Sequence, residues 1–190
     1  MSVKKKTPPP PPPPRAKAKP AAPKAAAPAK PAVVKPAFPK KNQPPTPPAF
    51  AAQLPLTLGK RLDLVRAFLL KQKSVREDVY FYGPESGWAL RYLHDNRPLC
   101  SLHVHDARPV GIVSLEAPAA ERVDWKALST AGRKARQQAH GSPSLLWLDV
   151  PLEGGGAADF RTILKAKLEA LSALARPVPE EDPAQEDAEA

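Results

Sequence analysis

The chain holds a single cysteine, Cys100, among its 190 residues. An intrachain disulfide is therefore excluded, and so is a zinc site built on several cysteines. No apolar run approaches the about 20 residues that a helical membrane span needs. Residues 1–54 contain no Asp or Glu, and residues 177–190 contain no Lys or Arg. Those 54 residues also hold only two aromatics, Phe38 and Phe50. No apolar stretch follows the basic start: Lys4-Lys5-Lys6 leads into polyproline, so no secretory signal is expected. One thiol and no signal together fit a reducing, cytoplasmic setting.

What residues 1–54 do contain is 17 of the 27 prolines and eleven Lys and Arg. Such a stretch buries too little apolar surface to offset the entropy of ordering. Residues 1–55 are therefore expected to form a disordered basic arm, with Pro8 to Pro14 populating polyproline II. Its cations, Lys4, Lys5, Lys6, Arg15, Lys17, Lys19, Lys24, Lys30, Lys35, Lys40 and Lys41, suit nucleic acid or an acidic protein surface, met electrostatically and without sequence preference. Pro10, Pro13 and Arg15 also form a P-x-x-P-x-R run that fits an aromatic groove. A plain spacer is the competing reading. Residues 177–190 carry six acids and are expected to form a disordered tail able to fold back on the arm.

Residues 56–176 have the patterning of one folded domain. Leu58, Leu62, Val65 and Leu69 mark an amphipathic helix, with Thr57 as the expected N-cap. Segments near 78–83, 87–93, 99–105 and 110–115 alternate as strands, and short polar turns between them imply antiparallel hairpins. Asp124 is expected to cap a helix to about Ala139. Ser144 to Val150 reads as a buried strand. Asp159 is expected to cap a last helix with Phe160, Ile163, Leu164, Leu168, Leu171 and Leu174 on its apolar stripe. The sum is an α+β fold: an antiparallel sheet of about five strands, with three helices mainly on one face.

The runs Tyr82-Gly83, Gly87-Trp88-Ala-Leu90-Arg91 and Leu99-Cys100-Ser-Leu102 resemble the bacterial domain of unknown function 3788. Leu146-Trp147-Leu-Asp-Val150, then Asp159 and a final helix with Lys165 and Lys167, extend the resemblance over residues 58–172. It implies an uncharacterised bacterial domain and assigns no catalytic residue. The basic arm lies outside it.

Chemistry-bearing residues gather in one hairpin. A three-residue loop at Asp95-Asn96-Arg97 pairs Tyr92 with Cys100, Leu90 with Leu102 and Trp88 with Val104. Arg91, Ser101, His103 and His105 then share the opposite face. These four could hold an anionic ligand, a proton or part of a metal site. Two histidines do not complete a zinc site, so neither a metal nor another cofactor is expected. The blander alternative is a solvated outer sheet face. Cys100 points away from the histidines, and Trp88 and Trp147 read as core. Lys126, Arg133, Lys134 and Arg136 form a basic helix patch suited to phosphates or to water alone. Gly154-Gly155-Gly156 lacks the G-K-[ST] ending of a phosphate loop and reads as a hinge. The function expected is a non-enzymatic binding or interaction module carrying a polyanion-binding arm. The alternative is a small enzyme or ligand-binding domain using the Arg/His face.

Overall fold

Two tight turns fix the centre of the sheet. Asp95 and Asn96 both adopt positive φ (47° and 63°), as do Asp106 and Ala107 (48° and 56°). Consecutive left-handed residues make the primed turns whose twist matches antiparallel strands. Around them the computed structural model describes residues 35–174; the expectations for residues 1–34 and 175–190 lie outside the described residues.

In chain order the elements are α1 (Pro47–Ala52), α2 (Leu56–Leu70), β1 (Val75–Phe81), β2 (Trp88–His94), β3 (Arg97–His105), β4 (Arg108–Glu116), α3 (Ala117–Glu121), α4 (Thr130–Gln137), β5 (His140–Ser142), β6 (Leu145–Pro151) and α5 (Gly156–Leu174). The strands form one antiparallel sheet in the order β1-β2-β3-β4-β6-β5. The α+β class is as expected. The strand count rises to six because His140–Ser142, just past the helix expected to end at about Ala139, pairs with β6.

One face of the sheet is dry. Leu90, Tyr92, Leu102, Val113, Leu115, Leu148 and Val150 are buried with Leu62, Val65 and Leu69 of α2 and Phe160, Ile163 and Leu164 of α5. The Phe160 ring lies over Gly111, where an added Cβ would come within 2.5 Å of it. That glycine is a packing requirement of the helix on the sheet.

The hairpin register is as expected from Leu90↔Leu102 to Tyr92↔Cys100, but the route differs. The loop has two residues, not three, and a bulge between Tyr92 and Leu93 restores the register. The extra residue lets Leu99 and Cys100 both be buried although they are neighbours.

The largest correction concerns residues 35–54, assigned to the arm. Phe50 is 0% exposed and stacks edge-on with Phe38, 4.9 Å between ring centres. Residues 35–38 form a wedge between two strands. The Ala37 N–H donates to Val104 O at 2.9 Å, and the Trp88 N–H donates to Phe38 O at 3.0 Å. The expected Trp88–Val104 pair is thus opened, and the wedge supplies the missing ladder partners to both sides. Asp106 N–H donates to Lys35 O (3.0 Å), and the Trp88 indole donates to Lys40 O (2.8 Å). Composition missed this because two aromatics at the right spacing anchor a stretch that is otherwise Pro, Ala and Lys.

Three capping expectations also change. Pro55, not Thr57, precedes α2. Asp124 accepts from the Lys126 and Ala127 N–H groups in a local turn, while Ser129 caps α4. Asp159 lies inside α5 and serves α4 instead: its buried carboxylate accepts from the Ser129 and Gly132 N–H groups, both at 3.0 Å, and from the Ser129 hydroxyl. A carboxylate at that helix start also meets the positive end of the helix dipole.

Candidate functional site

Strand parity sends Asp78, Tyr80, Arg91, Ser101, His103, Ile112, Ser114, Trp147 and Asp149 to the face away from the helices; their paired positions alternate with the core residues along each strand. Arg91, Ser101 and His103 thus share a face as expected, and His105 follows on the same strand. The middle of that face is covered, while Tyr80, Trp147 and Asp149 on it are exposed. His103 is 2% exposed, and Ser101 is also buried. The Tyr82 ring leans on His103 at 5.0 Å between centres, and His105 stacks on it at 5.5 Å, with planes 11° apart. Pro36 bridges to His105. Against the blander expectation of a solvated face, aromatic cover and the N-terminal wedge bury Ser101 and His103, while the rest of the face meets solvent.

Trp147 is corrected in the opposite sense. It was read as core, yet it is 42% exposed, because Leu146, Leu148 and Val150 take the helix-facing positions of β6. Trp88 does pack against the core. Trp125 is half-buried, with its indole donating to Ala120 O at 3.1 Å.

These side chains surround a recess of about 490 Å³, lined by Tyr80, Tyr82, Arg91, Ser101, His103 and Trp147 among others. Its polar groups differ in what they are free to do. Arg91 is committed: its Nε and an Nη donate to the two Asp78 oxygens at 2.9 and 2.6 Å, and its guanidinium lies 4.0 Å over the Tyr80 ring. That bidentate pair neutralises the guanidinium and orients it.

Ser101 Oγ and His103 Nε2 are 2.9 Å apart. The pair has the first two members of a hydrolytic triad but not the third, since His103 Nδ1 has no hydrogen-bond partner among the described residues. Burial, with His105 adding to it, pushes the His103 pKa down to about 4 against the opposing pull of the Ser86 backbone, whose contact falls short of a well-formed hydrogen bond. An imidazole so weakly basic is a poor proton acceptor for serine. His105 Nδ1 is likewise unpartnered among the described residues, and burial depresses its pKa too. No group of three or more His, Cys, Asp or Glu placed to hold a metal ion occurs among the described residues.

Sequence reading passed over Lys167 as a site residue. It is 8% exposed and enters the sheet from α5. The β3–β4 ladder ends at Ser101↔Ile112 although both strands continue. The Lys167 ammonium fills that split, donating to Leu99 O at 2.7 Å, Pro98 O at 3.1 Å and Ser114 Oγ at 3.4 Å. A signal existed: Lys167 stands three residues after Leu164 and four after Ile163, on the core-facing side of α5.

The other candidates do not join the recess. Lys35, Lys40 and Lys41 are exposed, but the Lys35 and Lys40 backbones are docked on the domain. Lys4, Lys5, Lys6, Arg15, Lys17, Lys19, Lys24 and Lys30 lie outside the described residues. In the helix patch, Arg133 donates to Leu128 O (2.6 Å) and Arg136 lies over Trp125 (5.1 Å). Gly154 and Gly155 border a second cavity of about 500 Å³ beside α4 with Ser129, Lys134 and Glu153, which holds none of the unpartnered histidine nitrogens.

No family model, no curated protein and no solved structure matches the chain.

Proposed function

We propose that residues 35–174 form a non-enzymatic domain that binds a small planar ligand in the open-face recess. One observation carries the reading: a cavity of about 490 Å³ with Tyr80, Tyr82 and Trp147 at its walls and Ser101 and His103 buried at its base. Aromatic walls around a few fixed polar groups are the usual makeup of a ligand pocket. The weakly basic His103 and its unpartnered Nδ1 favour binding over catalysis. Saturation-transfer NMR with the uncharged probe 2-naphthamide should show transfer from the full chain and little from Trp147→Ala. Equal transfer from both proteins would reject the recess as the site.

The eleven cations and absent acids of residues 1–54 support a second reading, in which the arm holds the domain on nucleic acid or another polyanion. With roughly 5 phosphates neutralised, log K should fall with log salt at a slope of about −4 to −5. Anisotropy titrations on the full chain and on a chain lacking residues 1–34 test it; equal binding by both would remove the arm from the account. We likewise propose kinship with the domain of unknown function 3788, resting on the Gly87-Trp88 run, and a cytoplasmic location. Among the described residues no helix is long and apolar enough to cross a membrane.

A further inference from the structure

The recess described above has a charge problem beneath it. Lys167 is a buried cation, and no carboxylate lies within salt-bridge distance of it among the described residues. Its acceptors are three neutral oxygens. Buried charges are ordinarily paired, because neutral dipoles replace only part of the lost hydration. The strain shows in the amine itself, whose pKa burial lowers to about 8, with Glu116, beyond salt-bridge distance, opposing that shift. The Cys100 thiol, which burial pushes up, stays protonated and supplies no counter-charge.

Position gives this unpaired cation a use. All three residues that receive its hydrogen bonds, Pro98, Leu99 and Ser114, line the recess. Ser114 spends its oxygen on the lysine, which leaves its own O–H to donate elsewhere. Arg91 cannot serve as the counter-cation of a ligand to the same degree, because Asp78 already neutralises it. The recess carries its own acid, Asp149, paired across the ladder with Ile112 and therefore nearer the His105 end than Ser114, which pairs with Trp147. The pocket's charge thus changes over one same-face step along β4, roughly 7–8 Å: a carboxylate on the His105 side, an unpaired ammonium behind Ser114.

We propose that the ligand of the recess is a planar organic anion whose carboxylate sits at the Ser114 end, against the split in the sheet that Lys167 fills. Ser114 donates to the carboxylate, Lys167 supplies the balancing charge, and Tyr80, Tyr82 and Trp147 hold the planar body. This rests on the ligand-binding reading of the recess and names its ligand class.

The test compares two probes of equal shape, 2-naphthoate and 2-naphthamide, by calorimetric titration of the full chain at pH 7. Naphthoate should bind about tenfold or more tightly, since the lysine charge acts from a buried position. Lys167→Met should cut that preference to within about threefold while leaving naphthamide affinity unchanged. Removing the lysine strands the Leu99 and Pro98 carbonyls, so a variant that fails to fold is foreseen. Ser114→Ala then serves, removing the donor while keeping the amine, and should weaken naphthoate more than naphthamide. Equal affinities for the two probes, both lost in Trp147→Ala, would keep the recess and overturn the anion assignment. A naphthoate preference that survives both Lys167→Met and Ser114→Ala would overturn it too. Binding of neither probe would overturn the recess itself, and the anion assignment with it.

Discussion

The two faces of the sheet each bury a polar cluster, and the clusters are finished to different degrees. On the helix side, Arg66 grips Glu77 with two hydrogen bonds of 3.0 Å, and the buried Tyr92 hydroxyl donates to the same carboxylate. Arg66 and Glu77 neutralise each other in that cluster. Burial raises the Glu77 pKa, but Arg66 and Tyr92 together outweigh it and hold the group below its ordinary value. On the open side, Ser101 and His103 satisfy one contact, while two imidazole nitrogens have none among the described residues. A completed network fixes a core; an incomplete one beside a cavity is where a ligand has something to supply.

The strongest way to break the comparison is Leu102→Asp. Leu102 is fully buried on the helix side, so the variant should lose at least about 4 kcal/mol and fail to give a cooperative urea transition. A folded Leu102→Asp would mean that the helix-side core is not the one described.

Acid should separate the faces. The unfolded chain binds a proton to His103 near pH 6.5, but the folded chain resists until about pH 4. Stability should therefore fall as pH drops between those values, by on the order of 2–3 kcal/mol. Glu77 has the depressed pKa of a paired carboxylate, so its contribution is complete above its unfolded value and is lost only as pH falls below that. Urea unfolding at a series of pH values should thus show an open-face loss first and a helix-face loss after it. His103→Gln should flatten the first step; an unchanged slope would mean that His103 is solvated.

Glu77→Gln should be milder, costing about 1–3 kcal/mol near neutral pH, because Arg66 keeps a hydrogen-bond partner but loses its counter-charge. Smallest of all is Trp147→Ala, at 42% exposure. Its effect on the unfolding free energy should be about 1 kcal/mol, since the ring is only partly withdrawn from water, even as the recess loses a wall. A large loss of stability there would make Trp147 structural after all.

Local patterning carried the sheet and its hairpins a long way. Alternation along 87–93 and 99–105 placed Leu90 opposite Leu102 and put Arg91, Ser101 and His103 on one face, because strand parity leaves few registers that bury one side. The same reasoning stopped short at burial. Parity says which face His103 takes, not that Tyr82, just past the end of β1, would cover it.

The sequence by itself determined the α+β class, the antiparallel hairpins, the helices α2 and α5 and the polar makeup of the open face, since each follows from the spacing of apolar residues within one segment. Only the tertiary structure decided the rest. The wedge at residues 35–38 exists because β2 and β3 part where Trp88 and Val104 would have met. Lys167 matters because β3 and β4 part at their other end. Both are long-range events: a gap in one ladder is filled by groups 50 or more residues away along the chain, at Trp88 and Phe38 in one case and at Leu99 and Lys167 in the other. No periodicity within a segment encodes such a gap, because unpaired backbone N–H and C=O groups specify that a partner must come without specifying from where.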